Sequence, residues 1–161
     1  MIVVADTSII LNLCRVQHER LLQQLFQRVL IPSRVALEFE RLAGTRPRFT
    51  GLALPGWIDV LPDPAPLPGQ IVEANLDAGE SAAIALCLNE KADALLIDEA
   101  LGRRLAERLG LRAIGILGVL VQSRQRGLVP GVRVVLDQLE NEAGFWVSPN
   151  LKAKVLQAVG E

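Results

Sequence analysis

Four carboxylates stand where this chain leaves an apolar run or opens a helix, and together they point to a hard cation. Asp6 closes the run MIVVA and precedes Thr7 and Ser8, while Asp98 closes ALLI and precedes Glu99. Each has an ordinary explanation, because Asp is a common helix N-cap. Two strands that both end in Asp put both carboxylates on one rim, however, and capping does not require that coincidence. Glu80 follows Asp77 by three residues at the head of AGESAAIALCLNEKA, which is the capping-box spacing. A first-turn position also aims its carboxylate back toward the same rim. Glu38 lies beside the apolar stripe Val35, Ala36, Phe39 and Leu42, a place that a solvated Glu does not need. Glu40, on the opposite side, reads as ordinary surface.

Acids that converge repel one another by several kcal/mol at about 4 Å and an intermediate dielectric. A cation between them removes that conflict, and an all-oxygen ligand set selects Mg²⁺ or Mn²⁺. Such a site suits hydrolysis of a phosphate ester by activated water, with the ion neutralising charge on phosphate and leaving oxygen. No His, Cys or Lys stands at the corresponding edges to supply another chemistry. The single histidine, His18, sits in the polar stretch VQHERLL and is expected on a solvated helix face. Cys14 (LNLCRV) and Cys87 (IALCLN) lie in apolar helical contexts and read as two buried thiols of a reducing compartment.

The elements that must position these acids alternate between strand and helix. Strand 2–5 is followed by a helical turn near 9–13, a helix over about 17–28, and strand 29–32. Ser33 is expected to cap a helix ending at Gly44, before a loop over 45–56, a strand over 57–61 and a Pro-rich connector over 63–69. Asp77 caps the next helix, then come strand 94–97, a helix closed by Gly110, the short strand LRAIGI and the helix LGVLVQSRQRG. Two C-terminal helices follow, over about 131–143 and 149–159, the second capped by Ser148 with Pro149 in first position. This order indicates βαβ units and a parallel sheet of four to five strands covered on both sides, a three-layer α/β/α architecture. Residues 1–161 read as a single domain, with 128–161 as a helical appendage that could contribute to a dimer surface.

Composition agrees with that class. Half of the 161 residues are hydrophobic and only 4% are aromatic, so Leu, Val, Ile and Ala must build the core. The formal net charge of −1 argues against a nonspecific polyanion binder, whose domains tend to be strongly basic. Local clusters remain open, since fourteen of the seventeen cations are Arg. No signal peptide and no membrane-length apolar run is apparent, so a cytoplasmic location is expected.

The segments VVADTSIILNL, IPSRVALEFERL, LDAGESAAIALCL and LLIDEALGRRLAERLGL, in this order and at these spacings, resemble a PIN-domain nuclease. The likeness extends through IGILGVLVQSRQRGLV, to about residue 130, and is nearest to a prokaryotic branch often encoded in toxin–antitoxin-like pairs. It implies a Mg²⁺- or Mn²⁺-dependent endoribonuclease acting on single-stranded RNA, and that branch offers an antitoxin protein as a candidate partner; a homodimer, through the appendage 128–161, is the expected assembly. Carried over by position, Asp6 would be the central metal ligand. Glu38, Glu80 and Asp98 would complete the catalytic cluster, as ligands or by holding metal-bound water, with Glu80 and Asp98 the further metal ligands. Ser8 and Glu99 match positions that support the metal ligands from behind or contact the phosphate. Many members carry further acids where this chain has ALGRR.

Arg103 and Arg104 follow Asp98 closely and are candidate RNA contacts, since Arg recognises phosphate bidentately. A solvated helix face paired with Glu107, or a patch for a partner protein, explains them as well. Phe39, Trp57 and Trp146 are expected inside, which leaves Phe49 as the one candidate stacking platform. A non-catalytic PIN-like scaffold is the competing function. An aspartyl-nucleophile phosphatase would want Asp where Ser8 stands, and a receiver domain would want paired acids and a late Lys.

Overall fold

The computed structural model describes residues 1–161. Strand β1 (Ile2–Ala5) is apolar at every position, as a strand covered on both faces must be, and Val3, Val4 and Ala5 are wholly buried. It sits at the centre of a five-stranded, all-parallel sheet with β2 (Arg28–Pro32), β3 (Asp59–Leu61), β4 (Ala94–Leu96) and β5 (Ala113–Ile114). The strand order is β3-β2-β1-β4-β5. Val3 pairs with Val29 on one side and with Ala94 on the other, and Ala5 pairs with Leu96. With helices flanking the sheet on both faces, the architecture is the three-layer α/β/α expected from the alternation of patterns.

Nine α-helices connect and cover the strands: α1 (Thr7–Arg15), α2 (Arg20–Leu25), α3 (Ser33–Thr45), α4 (Gly69–Glu73), α5 (Ala78–Asn89), α6 (Ala100–Arg108), α7 (Ile116–Gln125), α8 (Val132–Gln138) and α9 (Pro149–Ala158). Helix α5 packs on β1, β2 and β4 and is apolar nearly all round, so it is buried from Gly79 to Cys87. The C-terminal helices join the same core through Val132, Leu136 and Leu156. Both cysteines are free and buried. No helix is long and apolar enough to cross a membrane.

Several elements differ from the sequence reading for local reasons. The helix expected over 17–28 is only α2, because the Gln27 N–H bonds Met1 O at 2.9 Å and draws the chain into the sheet. His18 is half-buried, with Nε2 3.1 Å from Gln138 Oε1, rather than on a free solvated face. Ser33 is not a cap: its hydroxyl donates to Leu61 O and ties α3 to β3. The loop over 45–56 contains a 3₁₀ turn (Pro47–Phe49), and α4 follows the Pro-rich connector, anchored by the wholly buried Ile71. The helix expected over 131–143 gives way after Gln138 to a π-helical turn (Leu139–Ala143).

Candidate active site

The strand order makes the chain run outward from β1 through β2 to β3 on one side, and through β4 to β5 on the other. Between β1 and β4 the winding reverses, and open α/β sheets form their binding crevice at the carboxyl ends of such a pair. Asp6 and Asp98 leave those two strand ends. The Asp6 N–H donates to Leu96 O at 2.9 Å, which fixes Asp6 against β4.

Asp6 occupies the N-cap position of α1, yet its side chain accepts no capping bond. Only 6% of the residue is exposed. Its pKa is pushed up to about 7, chiefly because burial disfavours the carboxylate. The Thr7 backbone N–H beside it opposes that shift, while the charges of Asp77, Glu38 and Asp98 add to it. The ordinary explanation for this residue therefore fails on geometry.

Helix α5 delivers two acids from one turn. Asp77 caps it, with Oδ1 accepting the Glu80 N–H at 2.8 Å. No bond returns from Asp77 N–H to the Glu80 side chain, so the box is half made and Glu80 turns into the acidic cluster. Glu80 is 8% exposed. Its pKa is pushed up to about 9 by burial first, then by the neighbouring Asp77, Asp6 and Glu99. Glu38 reaches the same place from α3, on the face that also buries Val35 and Phe39. Its carboxylate lies directly over Gly79, where any β-carbon would collide with Oε2. Burial and Asp77 raise the pKa of Glu38, and Arg41, Thr7 and Arg34 partly offset them.

Asp98 faces the neighbouring side of the crevice. Its Oδ1 accepts the Ile116 N–H at 3.0 Å and so caps α7, while Oδ2 is buried without a partner. Burial raises its pKa, against that bond and the charge of Arg103. Glu99, not Asp98, caps α6 by accepting the Gly102 N–H at 2.8 Å. Arg103 lies beside Asp98 without forming an ion pair. Arg104 is exposed on the far side of α6, beside Ala74 and Leu76 and away from the crevice.

A cavity of about 550 Å³ collects Asp6, Glu38, Asp77, Glu80 and Glu99, together with Ser8, Asn12, Arg46, Arg48 and Phe49. A larger groove of about 1190 Å³ begins at Ser8, Asn12, Arg48, Phe49 and Glu99, which line both, and continues past Asp98 and Arg103. Of the four acids read from the sequence, Asp6, Glu38 and Glu80 thus share one cavity, and Asp98 stands at the head of the adjoining groove. Asp77, whose spacing predicts only a cap, is a fifth member of the cluster. Asn12 was also missed, although a polar residue four positions after Ser8 within an apolar helix was a readable signal. Trp146, expected inside, is 79% exposed and lines the groove.

The donor set is all oxygen, none of these acids takes part in an ion pair, and buried Asp98 Oδ2 has no partner. In donor chemistry that fits a hard divalent cation. As the side chains stand, no three acidic groups lie close enough to hold one ion, so occupation would require them to draw together.

An open parallel sheet with an acid-lined crevice at its switch point defines a doubly wound α/β domain. A family model described as PIN domain matches residues 2–161, and the chain belongs to the PIN-domain family. Members are generally nucleases and typically use divalent metals. A search of curated proteins found no match to the chain.

Proposed function

We propose that the protein is a Mg²⁺- or Mn²⁺-dependent endoribonuclease that cuts single-stranded RNA at the crevice between β1 and β4. The observation that supports this most is Asp6: buried, making no capping bond, paired with no basic side chain, and within the fields of three other acids. Asp6, Glu80 and Asp98 would hold the cation, and Glu38 and Asp77 would close the cavity on the α3–α5 side. When bound, the ion supplies activation of water and neutralisation of charge on the phosphate. Without it, Glu80 retains its proton at neutral pH and so limits the repulsion among the acids. Ser8 and Asn12, on one face of α1 at the junction of cavity and groove, would donate hydrogen bonds to a scissile phosphate. Arg48 and Arg103, which line the groove, offer it positive charge. A role as the toxin of a toxin–antitoxin pair accords with the branch that the motifs resemble, and a cytoplasmic homodimer is proposed with it.

A non-catalytic scaffold that binds RNA or a partner protein is the second reading, and the open spacing of the acids is what favours it. Purified protein supplied with Mn²⁺ or Mg²⁺ decides between them. Cleavage of single-stranded RNA that EDTA and Asp6→Asn both abolish is the expected result. Cleavage that survives either treatment would overturn the mechanism, and RNA binding with no cleavage would select the scaffold.

A further inference from the structure

The groove beside the acidic cavity has a composition that the acids do not explain. Its walls are mostly apolar, and the charged residues among them are Arg48, Asp98, Glu99, Arg103 and Arg112. Asp98, Glu99 and Arg103 stand at the catalytic end, and Arg112 stands before edge strand β5. Across from β5 and α7, the segment after the π-helical turn brings Phe145 and Trp146 to the groove. Phe49 projects from the 3₁₀ turn and lines both the groove and the acidic cavity. Aromatic faces interleaved with Arg, leading directly from an acidic cluster, match the needs of a single strand with splayed bases.

The fold holds this segment in place by means that tertiary packing alone does not need. Gly144 closes the π-helical turn at φ 69, a left-handed conformation that redirects the chain toward the groove. Arg48 crosses over Gly144 so closely that no β-carbon would fit, and its Nη1 donates to Ala143 O at 3.0 Å. That bond uses one of the guanidinium's five N–H donors. The Phe145 N–H donates to Leu139 O at 3.0 Å, and Phe145 packs partly against the core. Trp146 is left outside with its ring uncovered, beside Phe145 and among the residues that line the groove.

Resting on the nuclease reading, we infer that Trp146, backed by Phe145 and opposed by Phe49, forms a base-stacking subsite for the strand beside the scissile phosphate. Arg48 and Arg112 contact the backbone phosphates on either side of it. The subsite reads the π-face of a base and its single-stranded state, and it is indifferent to the sugar.

Binding of fluorescein-labelled single-stranded RNA and DNA decamers, followed by anisotropy in EDTA, tests this without cleavage. Trp146→Ala should weaken both on the order of tenfold, whereas Trp146→Phe should stay within about threefold of wild type. Arg112→Ala should lower the slope of log affinity against log salt by about one. Of the two tryptophans, Trp57 is half-buried, so decamer binding should quench wild-type emission and leave the emission of Trp146→Phe unchanged. Wild-type affinity in Trp146→Ala overturns the subsite while RNA cleavage, if present, leaves the nuclease reading standing. A changed oligomeric state in that variant, with oligonucleotide affinity retained, gives the face to a second copy and equally overturns it. A wild-type protein that neither binds nor cuts single strands removes both readings.

Discussion

Glu38 and Gly79 approach so closely that the helix α5 backbone forms the floor on which the Glu38 carboxylate rests. A methyl group at position 79 would therefore move a flexible side chain rather than backbone. Ala is also the better helix former by up to about 1 kcal/mol. Gly79→Ala should keep or raise the melting temperature while displacing Glu38 from the cavity and reducing metal-dependent cleavage. A thermal melt with a cleavage assay on the same sample checks it. A fall in melting temperature with activity intact would count against the assignment of Glu38.

The acids also set the stability of the cation-free protein against pH. Asp6 and Glu80 have folded pKa values of about 7 and about 9, above their ordinary 3.8 and 4.5. Between those limits the native chain binds protons that the unfolded chain has released, so its stability falls as pH rises through that window. A divalent cation should reverse the loss, raising the melting temperature much more at about pH 8 than at about pH 5. Melts in EDTA and in Mn²⁺ across that range measure it, and stability that climbed with pH in EDTA would be the contrary result.

Asp6→Asn separates folding from function. Removing the most buried charge of the cluster should stabilise the cation-free protein at alkaline pH, by an amount on the order of a few kcal/mol. The same change should abolish cleavage and blunt the stabilisation by Mn²⁺. Chemical denaturation with and without the ion reads both effects. Loss of stability in EDTA would mean that Asp6 has a structural partner.

Asp98 carries two duties on two oxygens, and substitution can split them. Asn retains an acceptor for the Ile116 N–H, so Asp98→Asn should fold normally and lose activity. Asp98→Ala also removes the bond at the start of α7 and should cost roughly 0.5–2 kcal/mol besides. Comparing the denaturation midpoints of the two variants tests the division.

Much of this site was legible because strands and their ends are local signals. The apolar runs at β1 and β4 required burial on both faces, and the acids that close them had to share a rim once the sheet was parallel. The stripe through Val35 and Phe39 likewise placed Glu38 correctly beside a buried face. What escaped was decided by tertiary geometry. Asp77 is the cap that its spacing announced, but only the approach of α3 and β1 brings it into the cluster. Arg103 and Arg104 are adjacent in sequence, and the phase of α6 alone sends one to the groove and the other away. Trp146 was expected inside because large apolar residues usually are. The π-helical turn and left-handed Gly144 that expose it have no pattern in the sequence.

The strand order has a temporal consequence during synthesis. Residues up to Leu61 contain all of β3-β2-β1, and at that stage β1 has no β4 beside it and the crevice has only one wall. The second wall arrives with β4 and the Asp98–Glu99 pair, after Asp77 and Glu80 have already emerged. A ribosome-bound chain shorter than about one hundred residues thus carries most of the acids yet no place for a strand of RNA between them. The acidic crevice would close in one step, with the docking of a three-residue strand, and the groove beside it only once residues 112–155 have followed.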